Sequence, residues 1–133
     1  MAVFKLSAEG TFIPKAGGNA EEAKPVRFIY RAPTLALRQE LTPQPEFEML
    51  FDKKGKQSGG RSTMEVDNEK IVRGMTIRIE NLEVELPDGK VKALTEANDL
   101  YGVNAPAGVG PLVDEAAVFY QKLLATNEVP AKN

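Results

Sequence analysis

The sequence predicts an α+β fold, a small N-terminal antiparallel β-hairpin or sheet followed by a mainly α-helical part, in a single domain spanning residues 1–133. Three observations predict it. Val26-Arg27-Phe28-Ile29-Tyr30-Arg31 is a β-branched and aromatic run that follows Pro25 and ends before Pro33, as a strand does. Beyond Pro33 the apolar residues change to helical spacing, most cleanly in Val113, Ala116, Ala117, Tyr120, Leu123 and Leu124. Apolar residues make up 42% of the chain and charged residues 27%, a globular composition at a length that can bury a core.

In chain order, Val3-Phe4-Lys5-Leu6 and Thr11-Phe12-Ile13 mix apolar and polar residues as a strand does, and Gly17-Gly18-Asn19 with the acidic Ala20-Glu21-Glu22-Ala23 marks a turn. Together with 26–31 this suggests antiparallel pairing. Thr34 is placed to cap a helix containing Leu35, Leu37 and Leu41 among the helix formers Arg38, Gln39 and Glu40. Pro43 and Pro45 should end or kink that helix, and Phe47 to Phe51 is expected to add one or two further helical turns. Residues 52–62 carry no apolar side chain to hold them to a core and are expected to form a mobile loop.

Ser62-Thr63-Met64-Glu65 has capping-box spacing, and Ile71, Met75, Ile79, Leu82 and Leu86 then fall near one helix face, so a helix is expected from about residue 63 to 82. A competing pattern runs through the same residues. Ile77-Arg-Ile-Glu and Leu82-Glu-Val-Glu-Leu alternate with period two, Pro87-Asp88-Gly89-Lys90 could close a hairpin with Val91-Lys-Ala, and Gly74 weakens the helix. The favoured reading is helix to about Asn81, then an extended piece and the Asp-Gly turn. Thr95 can cap a short helix through Leu100, and 102–111 is a Gly/Pro linker in which Pro111 suits the first turn of the last helix. That helix should end before Asn127, leaving a short disordered tail at about 127–133.

The chain contains no histidine and no cysteine, which removes the group that titrates near neutral pH, the thiolate nucleophile and the soft metal ligand. The paired acids Glu46 with Glu48, Glu83 with Glu85, and Asp114 with Glu115 are adjacent or alternate, and more naturally face solvent than flank a substrate. No Asp-x-Asp-x-Asp-Gly loop offers converging oxygen ligands for a hard metal. Gly55-x4-Gly60-Arg61-Ser62 mimics a phosphate-binding loop, but arginine stands where that motif needs lysine. The cluster Lys53, Lys54, Lys56 and Arg61 lacks interleaved aromatics for base stacking. Seventeen basic residues against nineteen acidic give a net charge of −2, too balanced to point to nucleic acid or an anionic membrane. No stretch approaches a secretory signal or a membrane span, so the protein is expected to stay where it is made. The expectation is a protein that is not an enzyme and needs no cofactor. The Val113 to Leu124 stripe reads first as core packing, and alternatively as a face for a partner or for self-association.

The order of segments carries a resemblance. Phe4-Lys-Leu-x4-Thr11-Phe12 opens the chain, and Val26-Arg-Phe-Ile-Tyr-Arg-Ala-Pro-Thr34 feeds the helix Leu35-Ala-Leu-Arg-Gln-Glu-Leu41. Then come Ile71-Val-Arg-x3-Ile77-x-Ile79-Glu-Asn-Leu82, the Asp88-Gly89 turn, Leu94-Thr95-Glu-Ala-Asn98 and a terminal amphipathic helix. This pattern resembles the tail assembly chaperones of long-tailed bacteriophages of the siphophage type, and the likeness spans most of the chain. The resemblance implies a protein of the infected host's cytoplasm, absent from the mature virion. It would bind the tape-measure protein and keep its hydrophobic helices soluble while the tail tube protein polymerises around it. It also implies self-association, often into curved or spiral arrays, and a longer form of the protein made by a −1 frameshift. The ending Ala131-Lys132-Asn133 would encode a slippery heptamer if its codons were GCA AAA AAC. The basic Gly-rich stretch at 53–61 and the linker at 102–111 do not map onto the family. Of the residues present, the stripe Val113, Ala116, Ala117, Tyr120, Leu123 and Leu124 is the natural candidate to receive tape-measure segments. The rival readings are a tail or head–tail joining protein retained in the virion, and a small anion-binding domain or enzyme.

Overall fold

The computed structural model describes residues 2–3, 9–43, 46–51, 53–63 and 66–125. The fold is α+β. Strand β1 (Glu9–Phe12) and strand β2 (Arg27–Arg31) pair antiparallel, with Thr11 opposite Ile29 and Phe12 opposite Phe28. Between them Gly17 and Gly18 turn the chain with φ of 64° and 76°, where a side chain would be strained. Asn19 follows as a buried tether. Its amide donates to the Pro14 and Val26 carbonyls at 2.8 and 3.1 Å, and its Oδ1 accepts from the Val26 amide at 2.8 Å.

Helix α1 (Leu35–Leu41) starts where expected, with the Thr34 hydroxyl accepting the Leu37 amide at 3.1 Å. The helical turns expected at Phe47 to Phe51 are instead strand β3 (Glu46–Phe51), which pairs antiparallel with β4 (Gln57–Thr63). The prolines at 43 and 45 isolate too short a segment to hold a helix alone, and alternation at Glu46-Phe47-Glu48 suits a strand. The loop expected over 52–62 is therefore confined, among the described residues, to 53–56. Ser62 and Thr63 end β4 rather than cap a helix, and Met64 and Glu65 of the supposed capping box lie outside the described residues.

Helix α2 (Asn68–Met75) is capped by Asp67, whose carboxylate accepts the Lys70 amide at 3.0 Å. It stops well short of Asn81. Residues Thr76–Glu80 are strand β5, which pairs antiparallel with β2 and completes a sheet ordered β1-β2-β5. Ile71 and Met75 reach the core by helical spacing, whereas Ile79 reaches it from a strand opposite Phe28. Pairing with β2, together with the β-branched Thr76, Ile77 and Ile79, outweighs the helical rhythm. Strands β6 (Glu83–Glu85) and β7 (Val91–Ala93) then form the hairpin around the Asp88-Gly89 turn. Helix α3 (Ala97–Leu100) has Glu96 rather than Thr95 at its N-cap, and the Asp99 carboxylate accepts both the Thr95 and Glu96 amides at 3.0 and 3.1 Å.

Helix α4 (Gly110–Ala125) carries Pro111 in its first turn and lies against the inner face of the sheet. Phe12 stacks on Phe119, and Tyr30 meets both Phe119 and Tyr120 edge-on. The core joins Phe28 and Ile79 of the sheet, Leu41 of α1, Ile71, Val72 and Met75 of α2, and Ala116, Ala117, Tyr120 and Leu124 of α4. The tail expected at 127–133 lies outside the described residues. Among the described residues no helix is long and apolar enough to cross a membrane.

Candidate protein-binding site

The six positions of the α4 stripe divide by burial. Ala116, Ala117, Tyr120 and Leu124 are at most 4% exposed, and Val113 and Leu123 are half-buried against the same cluster. The stripe is core, the first of its two readings. Tyr120 shows why it cannot also be a free surface: its ring is fully buried and its hydroxyl lies 3.1 Å from that of Thr76. Burial pushes its phenol far above the usual tyrosine range.

Among the described residues, α4 contributes to two apolar grooves. The first sits between the end of α1, the start of α2 and the end of α4, with a volume of about 270 Å³. Leu41, Ile71 and Leu124 form its floor, and Thr42, Pro43, Val66, Gln121 and Ala125 its walls. Val66 is 47% exposed. The close approach of α1 to α2 depends on Gly74, where a Cβ would lie 2.8 Å from Leu41 Cδ2. Two polar clamps hold the groove. Gln121 Nε2 donates to Asn68 Oδ1 at 2.7 Å, tying α4 to the first turn of α2, and Arg38 Nη2 donates to the Ala125 carbonyl at 3.2 Å, tying α1 to the end of α4. Of the six stripe residues only Leu124 lines this groove.

The second groove, about 380 Å³, is lined by Phe12, Asp114, Glu115, Val118, Phe119 and Lys122. Its floor is the Phe12–Phe119 stack, with ring centroids 4.4 Å apart. Glu115 is held in place by accepting the Lys15 amide at 2.6 Å, while Val118 is 49% exposed. None of the six stripe residues lines it. The signal for it was present in the sequence as Asp114, Val118 and Lys122 at four-residue spacing on the face opposite the stripe.

The other candidate motifs are dispersed. Gly55 lies in the β3–β4 turn with φ of 78°, while Gly60, Arg61 and Ser62 run along β4, so the phosphate-loop mimic is a hairpin and not a loop closing on an anion. Lys53, Lys54 and Lys56 are exposed at the hairpin tip. Glu46 and Glu48 lie two apart on β3, Glu83 and Glu85 are exposed on β6, and Asp114 and Glu115 belong to the second groove. Among the described residues no group of three or more potential metal ligands gathers.

No protein-family model, no curated protein and no solved structure matches this chain.

Proposed function

We propose that this protein is a non-catalytic tail assembly chaperone of a long-tailed bacteriophage, acting in the cytoplasm of the infected bacterium by binding the tape-measure protein until the tube has formed around it. The order of segments supports this reading, and so does one apolar groove of the fold. The groove between α1, α2 and α4 has an apolar floor of Leu41, Ile71 and Leu124 and walls fixed by polar clamps. A preformed apolar groove of this kind takes large side chains from one face of an amphipathic helix. Binding of that sort covers the hydrophobic stripe of a client and keeps it in solution, with no covalent chemistry required.

The test uses exposed wall positions, so that the fold survives. Val66→Glu with Ala125→Glu places two charges at the rim while leaving the buried floor intact. Tape-measure segments carrying a fluorophore should bind the wild type and lose at least about tenfold in affinity for the double variant, equivalent to about 1.4 kcal/mol. Equal binding by both proteins, each folded by circular dichroism, would remove the groove from the mechanism. Purified virions should lack the protein, whereas a tail or head–tail joining component would co-purify with them.

A further inference from the structure

Strand β1 is an edge of the three-stranded sheet: the order β1-β2-β5 puts β2 on one side of it, and among the described residues no strand or backbone bond reaches the other. Alternate N–H and C=O groups of an edge strand point outward and form a template for a further strand. The second groove lies beside this edge, since Phe12 and α4 line it and no residue of β2 or β5 does. Gly10 and Phe12 are the inward residues of β1, opposite Tyr30 and Phe28, so a strand added outside β1 would hang its own inward side chains over α4. There it meets Asp114, Val118 and Lys122, one exposed row with four residues between successive members. Among the described residues neither Asp114 nor Lys122 forms an ion pair. Four helical residues rise about 6 Å and two strand residues about 6.7 Å, so every second side chain of an added strand falls on a member of the row.

We propose that β1 and the second groove together bind an extended segment of a different protein, added antiparallel to β1 and carrying the pattern base-x-apolar-x-acid. The direction follows from the fold. Phe12 stacks on Phe119 and the Lys15 amide meets Glu115, so β1 runs against α4, with its start toward Lys122 and its end toward Asp114. An antiparallel strand therefore passes Asp114 first and Lys122 last, which places its base on the acid and its acid on the base. The apolar residue between them covers Val118 and Phe119. Backbone bonds and the apolar contact supply affinity, and the charges select the sequence, since exposed ion pairs add little energy of their own. A second copy of this chain does not fit that pattern, because its β1 would present Gly10 and Phe12, which carry no charge to answer Asp114 or Lys122. The inference is independent of the groove at Val66, which suits a helix where this edge suits a strand.

The probe is a fluorescent peptide, Thr-Lys-Thr-Leu-Thr-Glu-Thr with blocked ends, titrated with the full chain and followed by anisotropy. Saturable binding is expected, with Val118→Glu weakening it by at least about tenfold because a charge then meets the leucine. Asp114→Lys should weaken it by about fivefold, and a peptide with glutamate in place of its lysine should bind that variant better than it binds the wild type. Both positions are exposed, and unchanged thermal melts show that the variants fold. Strand addition has its own signature. N-methylation at the leucine and at the threonine before it blocks N–H groups that point to opposite sides of the peptide, so one of the two should abolish binding and the other should spare it. Binding that survives both would place the peptide in the groove without extending the sheet and would overturn the proposal, as would no binding at all or an Asp114→Lys variant with unchanged charge preference. A protein that sediments as a dimer and takes no peptide would assign the edge to a second copy and contradict it equally.

Discussion

The Thr76 hydroxyl lies 3.1 Å from the Tyr120 hydroxyl, a buried bond joining the first residue of β5 to the middle of α4. It ties the sheet to the helix that packs across it, and each group is the other's partner in an apolar core. Tyr120→Phe or Thr76→Val alone strands one buried hydroxyl and should cost about 1–3 kcal/mol. Removing both leaves nothing unpaired. The double variant should therefore be destabilised by less than the sum of the singles, with a coupling of about 0.5–3 kcal/mol in urea unfolding. Strict additivity would show that the two hydroxyls do not interact.

Burial also gives the fold a dependence on alkaline pH. Tyr120, Tyr101 and Tyr30 all have phenols raised above 10.0 by burial, Tyr120 by the most. Above that pH the unfolded chain loses protons that the folded chain retains, so the stability these groups contribute is complete below pH 10.0 and declines as pH rises further. Tyr120→Phe should flatten the decline. Urea midpoints at about pH 9 and about pH 11 measure it, and an equal loss in wild type and variant would contradict the assignment to Tyr120.

Gly10 stands opposite Tyr30 in the β1–β2 register, and the Tyr30 ring lies over it. A Cβ at position 10 would come within 2.3 Å of Tyr30 Cζ. The ring cannot easily withdraw, because it is set edge-on between Phe119 and Tyr120. Gly10→Ala should cost about 1–3 kcal/mol, the usual penalty of overpacking, although alanine suits a strand better than glycine does. A thermal melt unchanged by the substitution would show that Tyr30 is free to move.

Asn19→Ala removes three hydrogen bonds and leaves buried backbone groups of Pro14 and Val26 without that partner. A loss of about 2 kcal/mol or more is expected. Asn19→Asp keeps an acceptor for the Val26 amide but loses both donations and sets a carboxylate against the Pro14 and Val26 carbonyls. It should fall below the wild type by a similar amount in denaturant unfolding.

Legibility from sequence followed how local the deciding force was. Strand 26–31 and the Thr34 cap were readable because both depend on neighbours in the chain, a proline-bounded β-branched run and a hydroxyl reaching the Leu37 amide. The helix expected through 71–75 is present, but 76–80 is a strand: Ile79 fits the helical row of Ile71 and Met75 as well as a strand opposite Phe28, and only the long-range pairing decides between them. Strand β4 was hidden for another reason. Gln57–Thr63 contains no apolar residue, so its only strand signal is the partner it finds in Glu46–Phe51. The α4 stripe was found, and its reading as core was the correct one. The grooves were not found, because each is built from residues far apart in the chain, Phe12 with Phe119 in one and Leu41 with Leu124 in the other.

The proposed function is tested most directly by co-expressing the tape-measure protein with this chain and measuring the fraction of tape-measure protein that remains in the supernatant. The expected result is a several-fold rise in soluble tape-measure protein with the wild type, largely lost with the Val66→Glu and Ala125→Glu double variant. Tape-measure protein that is no more soluble with this chain than without it would contradict the central claim.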